Sequence, residues 1–289
     1  MHRCRLLKKE LILRKNYLEA EPIESIYFGG GTPSVLTANE IDDIFSCISD
    51  NYIVSSYAEI TLEANPNNLC EEYFKNLTTT RINRLSIGIQ SFNADNLKIL
   101  GRIHSGKQAE DCLLLAEKYN FNNLSIDLMY GYPLLTIQQW IANLEKVKDV
   151  KHLSCYCLTL EKQSVLYKRI KNQNLQQATE DDILQQIEIL EEFAQQNNFI
   201  HYETSNFCKK DFHSRHNTAY WQNKSYLGVG CSAHSFNKNS RQWNLSNIDL
   251  YINKLNKIKD VSEFDIYEYE SLSKIMQINE YIMTSLRTI

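Results

Sequence analysis

Proline and glycine are scarce in this sequence, with four prolines and nine glycines in 289 residues, too few for a collagen-like or linker-rich chain. No segment repeats at short period and none is of low complexity. Positive charge is not in excess, since 31 Lys and Arg stand against 35 Asp and Glu, a net charge of −4. That excludes the broad basic surface by which proteins hold nucleic acid or an anionic membrane. No apolar run approaches the roughly 20 residues of a membrane-crossing helix. The opening residues, MHRCRLLKKELILRKNYL, also lack the apolar core of a secretory signal and have the spacing of an amphipathic helix, roughly Arg3 to Tyr17. The expectation is a soluble, cytoplasmic protein in a reducing compartment.

The sequence contains no CxxC. Its eight cysteines, Cys4, Cys47, Cys70, Cys112, Cys155, Cys157, Cys208 and Cys231, are scattered, which leaves them as free thiols or isolated ligands. Cys155 and Cys157 stand two apart in an alternating apolar run, on one face of a strand. Both are read as buried, because free cysteine packs as a small hydrophobe.

What the sequence does have is an alternation. Runs rich in β-branched and aromatic residues recur at SIYF (25–28), AEITLEA (58–64), RLSIGIQ (84–90), NLSIDLMYG (123–131), HLSCYCLTLE (152–161) and FIHYETSNF (199–207). Between them lie segments of helical spacing, among them TANEIDDIFSCISDNY, Lys107 to Tyr119, TIQQWIANLEKV and TEDDILQQIEILEEFAQQ. Strands alternating with helices predict βα units around a parallel sheet. Most strands end in a polar side chain or glycine turn, at Gly29 to Thr32, Glu63, Gln90, Asp127, Glu161 and Glu203. An open sheet gathers its ligand residues near one switch point, whereas a barrel assembles its site from the ends of many strands. The pattern favours the barrel.

A third of the glycines fall in one turn, YFGGGTPS (27–34). Glycine allows close backbone approach and unusual φ values, so the loop is either a ligand cradle or a tight turn. Taken with LEANP, RLSIGIQSFN, LGRIHS, SIDLMYGYP, YCLTLE and YETSNF in this order, it resembles the radical S-adenosylmethionine (SAM) proteins related to oxygen-independent coproporphyrinogen III oxidase. The resemblance runs from about residue 5 to about residue 285. RHNTAYW (215–221) resembles the HNxxYW signature of the heme chaperones, the HemW branch. The fold this implies is α/β: a partial (β/α) radical SAM barrel, TIM-like with its first strand missing, over residues 1–205. An incomplete C-terminal α+β extension follows over 206–289.

The resemblance also implies roles. Gly29, Gly30, Gly31 and Thr32 would line the methionine end of SAM, with Glu63 beside it and Arg102 pairing with the methionine carboxylate, a task suited to a planar guanidinium. Gln90 and Asp127 would take the ribose hydroxyls. Read from chemistry alone, these carboxylates and amides are equally satisfied polar groups at strand ends, and Arg102 a surface ion pair. If RHNTAYW is helical, His216 and Tyr220 share a face. The set His216, Asn217, Tyr220 and Trp221 would then frame heme, with His216 as the iron ligand. The alternative is a buried histidine among Tyr202, Phe207 and Phe212. His213 and His234 are other possible iron ligands, and the roles of Glu161, Glu203 and His234 are left unassigned.

One family feature is missing: the CxxxCxxC loop that holds a [4Fe–4S] cluster does not occur in the sequence. Cys4 is expected to be an ordinary helix residue. The chain opens on a helix where a barrel opens on a strand, and LSKIMQINEYIMTSLRTI carries no stop signal, so a fragment of a longer protein is expected rather than a shortened one. The implied function is a heme chaperone delivering heme to client hemoproteins, with at most peripheral contact with membrane hemoproteins. The alternatives are a coproporphyrinogen III oxidase-like enzyme and a cluster-free heme-binding protein.

Overall fold

Helix starts are written locally. Thr37, Ser105, Thr136 and Thr179 each cap a helix, and the residue three on, Glu40, Gln108, Gln139 or Asp182, returns a bond to the cap. Two orphan N–H groups are satisfied at each start. These boxes open α2 (Ala38–Asn51), α5 (Gly106–Lys118), α6 (Ile137–Glu145) and α8 (Glu180–Gln196). The computed structural model describes residues 2–172 and 175–288. It opens with α1 (His2–Leu13), which ends before Tyr17 because the chain then enters turns with positive φ at Glu19 and Ala20.

A seven-stranded sheet organises the first two thirds of the chain. The strands β1 (Ile23–Phe28), β2 (Val54–Ala64), β3 (Arg84–Gln90), β4 (Leu124–Tyr130) and β5 (His152–Cys157) run parallel, each beside its predecessor. Short helices α3 (Glu71–Leu77), α4 (Ala94–Ile99) and α7 (Val165–Asn172) complete the crossovers. The sheet curls into a half-barrel. Its outer face, with Ile60, Leu62, Leu85, Ile87, Ile126, Leu128 and Leu153, packs on α2, α5, α6 and α8 to form the main core.

The sixth predicted strand is not one strand. FIHYETSNF folds as a hairpin of β6 (Ile200–Glu203) and β7 (Asn206–Cys208), turning at Thr204 and Ser205. β7 inserts antiparallel between β5 and β6. HLSCYCLTLE is extended only to Cys157, and Cys157 is exposed while Cys155 is buried. The strand runs out of the core at its C-terminal end, which is why the second cysteine departs from the buried reading.

Beyond the sheet come α9 (Arg215–Trp221), the antiparallel strands β8 (His234–Phe236) and β9 (Ser240–Asn244), α10 (Ile248–Lys257), β10 (Tyr267–Ser271) and α11 (Lys274–Ser285). A smaller apolar cluster of Leu6, Tyr251, Leu255, Ile258 and Ile266 lies under α10. Among the described residues no helix is long and apolar enough to cross a membrane.

Candidate functional site

Parallel strands buried on both faces are ordinarily apolar throughout. Here alternate residues are polar instead. Register sets Glu63 beside Ser86 and Thr61 beside Arg84, then Ser86 beside Ser125 and Asp127 beside Ser154. These positions, with Ser25 and Tyr27 of β1, form the concave face, and their side chains bond one another. Tyr27 Oη donates to Glu63 Oε1 at 2.8 Å, Ser86 Oγ to Asp127 Oδ1 at 3.4 Å, and Ser154 Oγ to Asn206 Oδ1 at 2.6 Å. The half-barrel therefore has a polar lumen.

At its upper rim lies the glycine loop. A Cβ at Gly29 would stand 2.5 Å from the Tyr27 ring, so only glycine fits. Gly30 has φ +79° and donates its N–H to Glu63 Oε2 at 3.2 Å. A Cβ at Gly30 or Gly31 would meet nothing within 4 Å. The loop faces open space there, and Thr32 Oγ1 accepts from Asn65 Nδ2 at 3.4 Å.

Gln90 ends β3 in a left-handed conformation, φ +67°, with its buried Oε1 lacking any partner. A strained backbone and an orphaned buried acceptor thus coincide at this residue. Desolvation, aided by the Glu63 carboxylate, pushes the Asp127 carboxyl up to about 7. Half-buried Arg102 forms no ion pair among the described residues, and Asp127 is the carboxylate that acts on it. The structure thus brings Gly30, Glu63, Gln90, Arg102 and Asp127 to one end of the sheet. Glu161 is exposed in the loop after β5, and buried Glu203 accepts from the Asn206 amide.

α9 is helical as the spacing predicts, and it is anchored from inside the lumen. Glu59 of β2 accepts the backbone N–H groups of Arg215 and His216, each at 3.1 Å, and the hydroxyl of Ser214 at 3.4 Å. Arg84, 2 % exposed, approaches Glu59 Oε2 at 3.9 Å through Nε. The His216 ring turns onto β1: it stacks on Tyr27 at 4.5 Å and 16°, and its Nδ1 lies 3.1 Å from Ser25 Oγ. Tyr220 meets the imidazole edge-on at 4.9 Å. Burial first, and then the Arg84 guanidinium, lower the His216 pKa to about 4, so the imidazole is neutral.

His216 therefore packs against Tyr27 and Tyr220, not against Tyr202, Phe207 or Phe212. Asn217 and Trp221 are half-buried one position round the helix, and the Trp221 indole makes no ring contact with His216. His213 meets Tyr202 edge-on at 4.9 Å, and His234 lies in β8 near Trp243. Ser25, Tyr27, Glu59, Arg84 and the buried His152 escaped the sequence reading. Their signal was the alternation E-x-T-x-E, R-x-S-x-G-x-Q and H-x-S, which marks a polar face along whole strands rather than at their ends.

The Radical SAM superfamily model matches residues 2–147. A heme chaperone HemW of Lactococcus lactis is 34% identical over 281 residues, covering 96% of this chain and 73% of the relative. Another HemW, of Buchnera aphidicola, is 37% identical over 81% of the chain. The chain belongs to the radical SAM superfamily, in its HemW branch. It spans 60% of the Buchnera relative and 62% of a Bacillus subtilis HemW. In fold it matches coproporphyrinogen III oxidase of Escherichia coli at a TM-score of 0.84 and 20% identity, covering 99% of this chain and 68% of that one.

Superfamily membership implies SAM and a [4Fe–4S] cluster. The SAM end fits the residues present, through the open glycine loop and through Gln90 Oε1 and Arg102, which among the described residues have no hydrogen-bond partner and no ion pair respectively. The cluster does not fit them. Among the described residues no three His, Cys, Asp or Glu side chains gather to hold a metal, and Cys4 is buried on α1 with its Sγ 3.8 Å from Glu40 Oε1.

Proposed function

We propose that this chain binds heme through His216, as part of a heme chaperone that passes heme to client hemoproteins, and that it holds SAM at the glycine loop. The observation that carries the reading is the state of the His216 ring. It is neutral, its Nδ1 is held 3.1 Å from Ser25 Oγ, and Nε2 makes no hydrogen bond among the described residues; in the tautomer that donates Nδ1–H to Ser25, the lone pair lies on Nε2. A metal-ligating histidine is commonly held in this way, by one ring nitrogen with the other free. Tyr220, 44 % exposed, adds an aromatic edge beside it.

SAM contacts are proposed for Gly29, Gly30, Gly31 and Thr32 at the methionine backbone, with Glu63 facing the ammonium and Arg102 the carboxylate. Gln90 and Asp127 would take the ribose. The division of labour we propose follows the chain: residues 1–205 carry every SAM contact, and 206–289 carry His216, Asn217, Tyr220 and Trp221 for heme. We place the activity in the cytoplasm, with peripheral contact where a client is a membrane hemoprotein. An oxidase reading rests on shared fold alone, and the HNxxYW helix favours the chaperone.

Heme titration of the chain and of His216→Ala, followed at the Soret band, tests this. One-site binding lost in the variant is the expected result. Equal binding by both proteins, or none by either, removes His216 as the ligand.

A further inference from the structure

Tyr27 is claimed from three sides. Its ring lies over Gly29, at a distance no side chain at that position would permit. Its face stacks on the His216 imidazole at 4.5 Å. Its hydroxyl donates to Glu63 Oε1 at 2.8 Å, and the other oxygen of the same carboxylate accepts the Gly30 N–H at 3.2 Å. The glycine loop and the histidine of the HNxxYW helix, 191 residues beyond Ser25 in sequence, therefore rest on one phenol.

We infer that Tyr27 is a positioning residue that couples the two sites, so that a ligand presenting an ammonium group to the glycine loop raises the affinity of His216 for a metalloporphyrin. The inference rests on the SAM and heme reading above. Each carboxylate oxygen of Glu63 accepts one hydrogen bond from the chain and retains a second lone pair. An ammonium group can therefore join Glu63 without displacing Tyr27 or Gly30. Its charge fixes the carboxylate, the carboxylate fixes the phenol, and the phenol fixes the imidazole stacked on it. Ordering completed by the first ligand is not repeated for the second, which is positive cooperativity without a change of fold. Linkage makes the effect reciprocal, so heme tightens SAM by the same factor.

Heme is titrated into the full chain with and without saturating SAM, in the wild type and in Tyr27→Phe. Phenylalanine keeps the stacked ring and removes only the hydroxyl donor. The wild type is expected to bind heme about fivefold more tightly or better with SAM present, the lower end of ordinary coupling, and Tyr27→Phe to bind both ligands with that gain lost. Equal heme affinity with and without SAM, or the same gain in the variant, overturns the coupling. A second readout needs no heme: the ring-nitrogen NMR shifts of His216 move on SAM addition in the wild type and stay fixed in Tyr27→Phe. If they move while heme does not bind, the heme reading falls and the gain in metalloporphyrin affinity falls with it. If heme binds and they do not move, the coupling falls alone.

Discussion

Asp127 and His216 sit in one lumen, yet pH works on them in opposite senses. The Asp127 carboxyl is protonated in the fold up to about 7, against 3.8 when free. Between those values the unfolded chain binds fewer protons, so this residue withdraws stability as pH rises through the window. Asp127→Asn removes that dependence, and its urea midpoint should exceed the wild type's by more at pH 8 than at pH 5. His216 is depressed to about 4 from 6.5. There the unfolded chain binds more protons, and stability falls as pH drops from 6.5 towards 4. Buried His152, lowered in the same direction, contributes a parallel slope. The difference between wild type and His216→Asn isolates the first residue: the variant should lose less stability than the wild type between pH 7 and pH 5. A difference that does not change with pH would mean that the His216 ring is not held neutral by its surroundings.

A seven-residue helix does not stand on its own propensity, and α9 is fixed by what receives its N-terminus. Glu59 accepts two of its N–H groups while facing the buried Arg84 guanidinium. Glu59→Ala removes the acceptor of those two N–H groups, with only the Ser214 cap remaining, and leaves a buried cation without its carboxylate, a loss of about 3–5 kcal/mol where such pairs are broken. Chemical denaturation should show that loss, and heme titration of the variant still folded should show weakened binding, because His216 leaves β1 with the helix. The element level was also the most legible in the sequence. Helix starts were local, written in T-x-x-E-type boxes, and RLSIGIQ matched β3 residue for residue. The β6–β7 hairpin was not legible, because Thr204 and Ser205 carry no glycine or proline to mark a turn. The glycine loop and strand-end polar residues could be named from motifs. Glu59 could not, since its meaning lies in contacts with Ser214 and His216 more than 100 residues away, and neither could Arg84, which faces Glu59.

Taken as a whole, the molecule is tied together by α1, whose faces enter different cores. Cys4 and Leu11 belong to the main cluster behind the sheet, with Leu7 packed on it, whereas Leu6 joins Tyr251, Leu255, Ile258 and Ile266 under α10, with Leu13 against them. Between these faces Glu10 is fully buried. It accepts from Gly230 N at 2.9 Å, Asn244 Nδ2 at 2.7 Å and the Tyr251 hydroxyl, with Arg14 Nη1 at 3.4 Å. Arg14 continues to the Gly228 carbonyl at 3.1 Å and to Gln242 Oε1 at 2.7 Å. Buried polar networks are stable only when complete, and one missing member leaves the others unpaired in a poor solvent. Sheet and extension should accordingly unfold together, since neither end of α1 can leave its core without exposing the other. Urea titrations followed separately at Trp140, fully buried behind the sheet, and at Trp243 in β9, each isolated by replacing the other tryptophans with phenylalanine, should give coincident midpoints in the otherwise wild-type chain. In Glu10→Ala the Arg14 guanidinium loses its carboxylate, Tyr251 loses its acceptor, and Asn244 keeps only the Gly230 carbonyl. The Trp243 midpoint should then fall below the Trp140 midpoint. If the two remain coincident in the variant, apolar packing of α1 alone carries the cooperativity and the buried carboxylate does not.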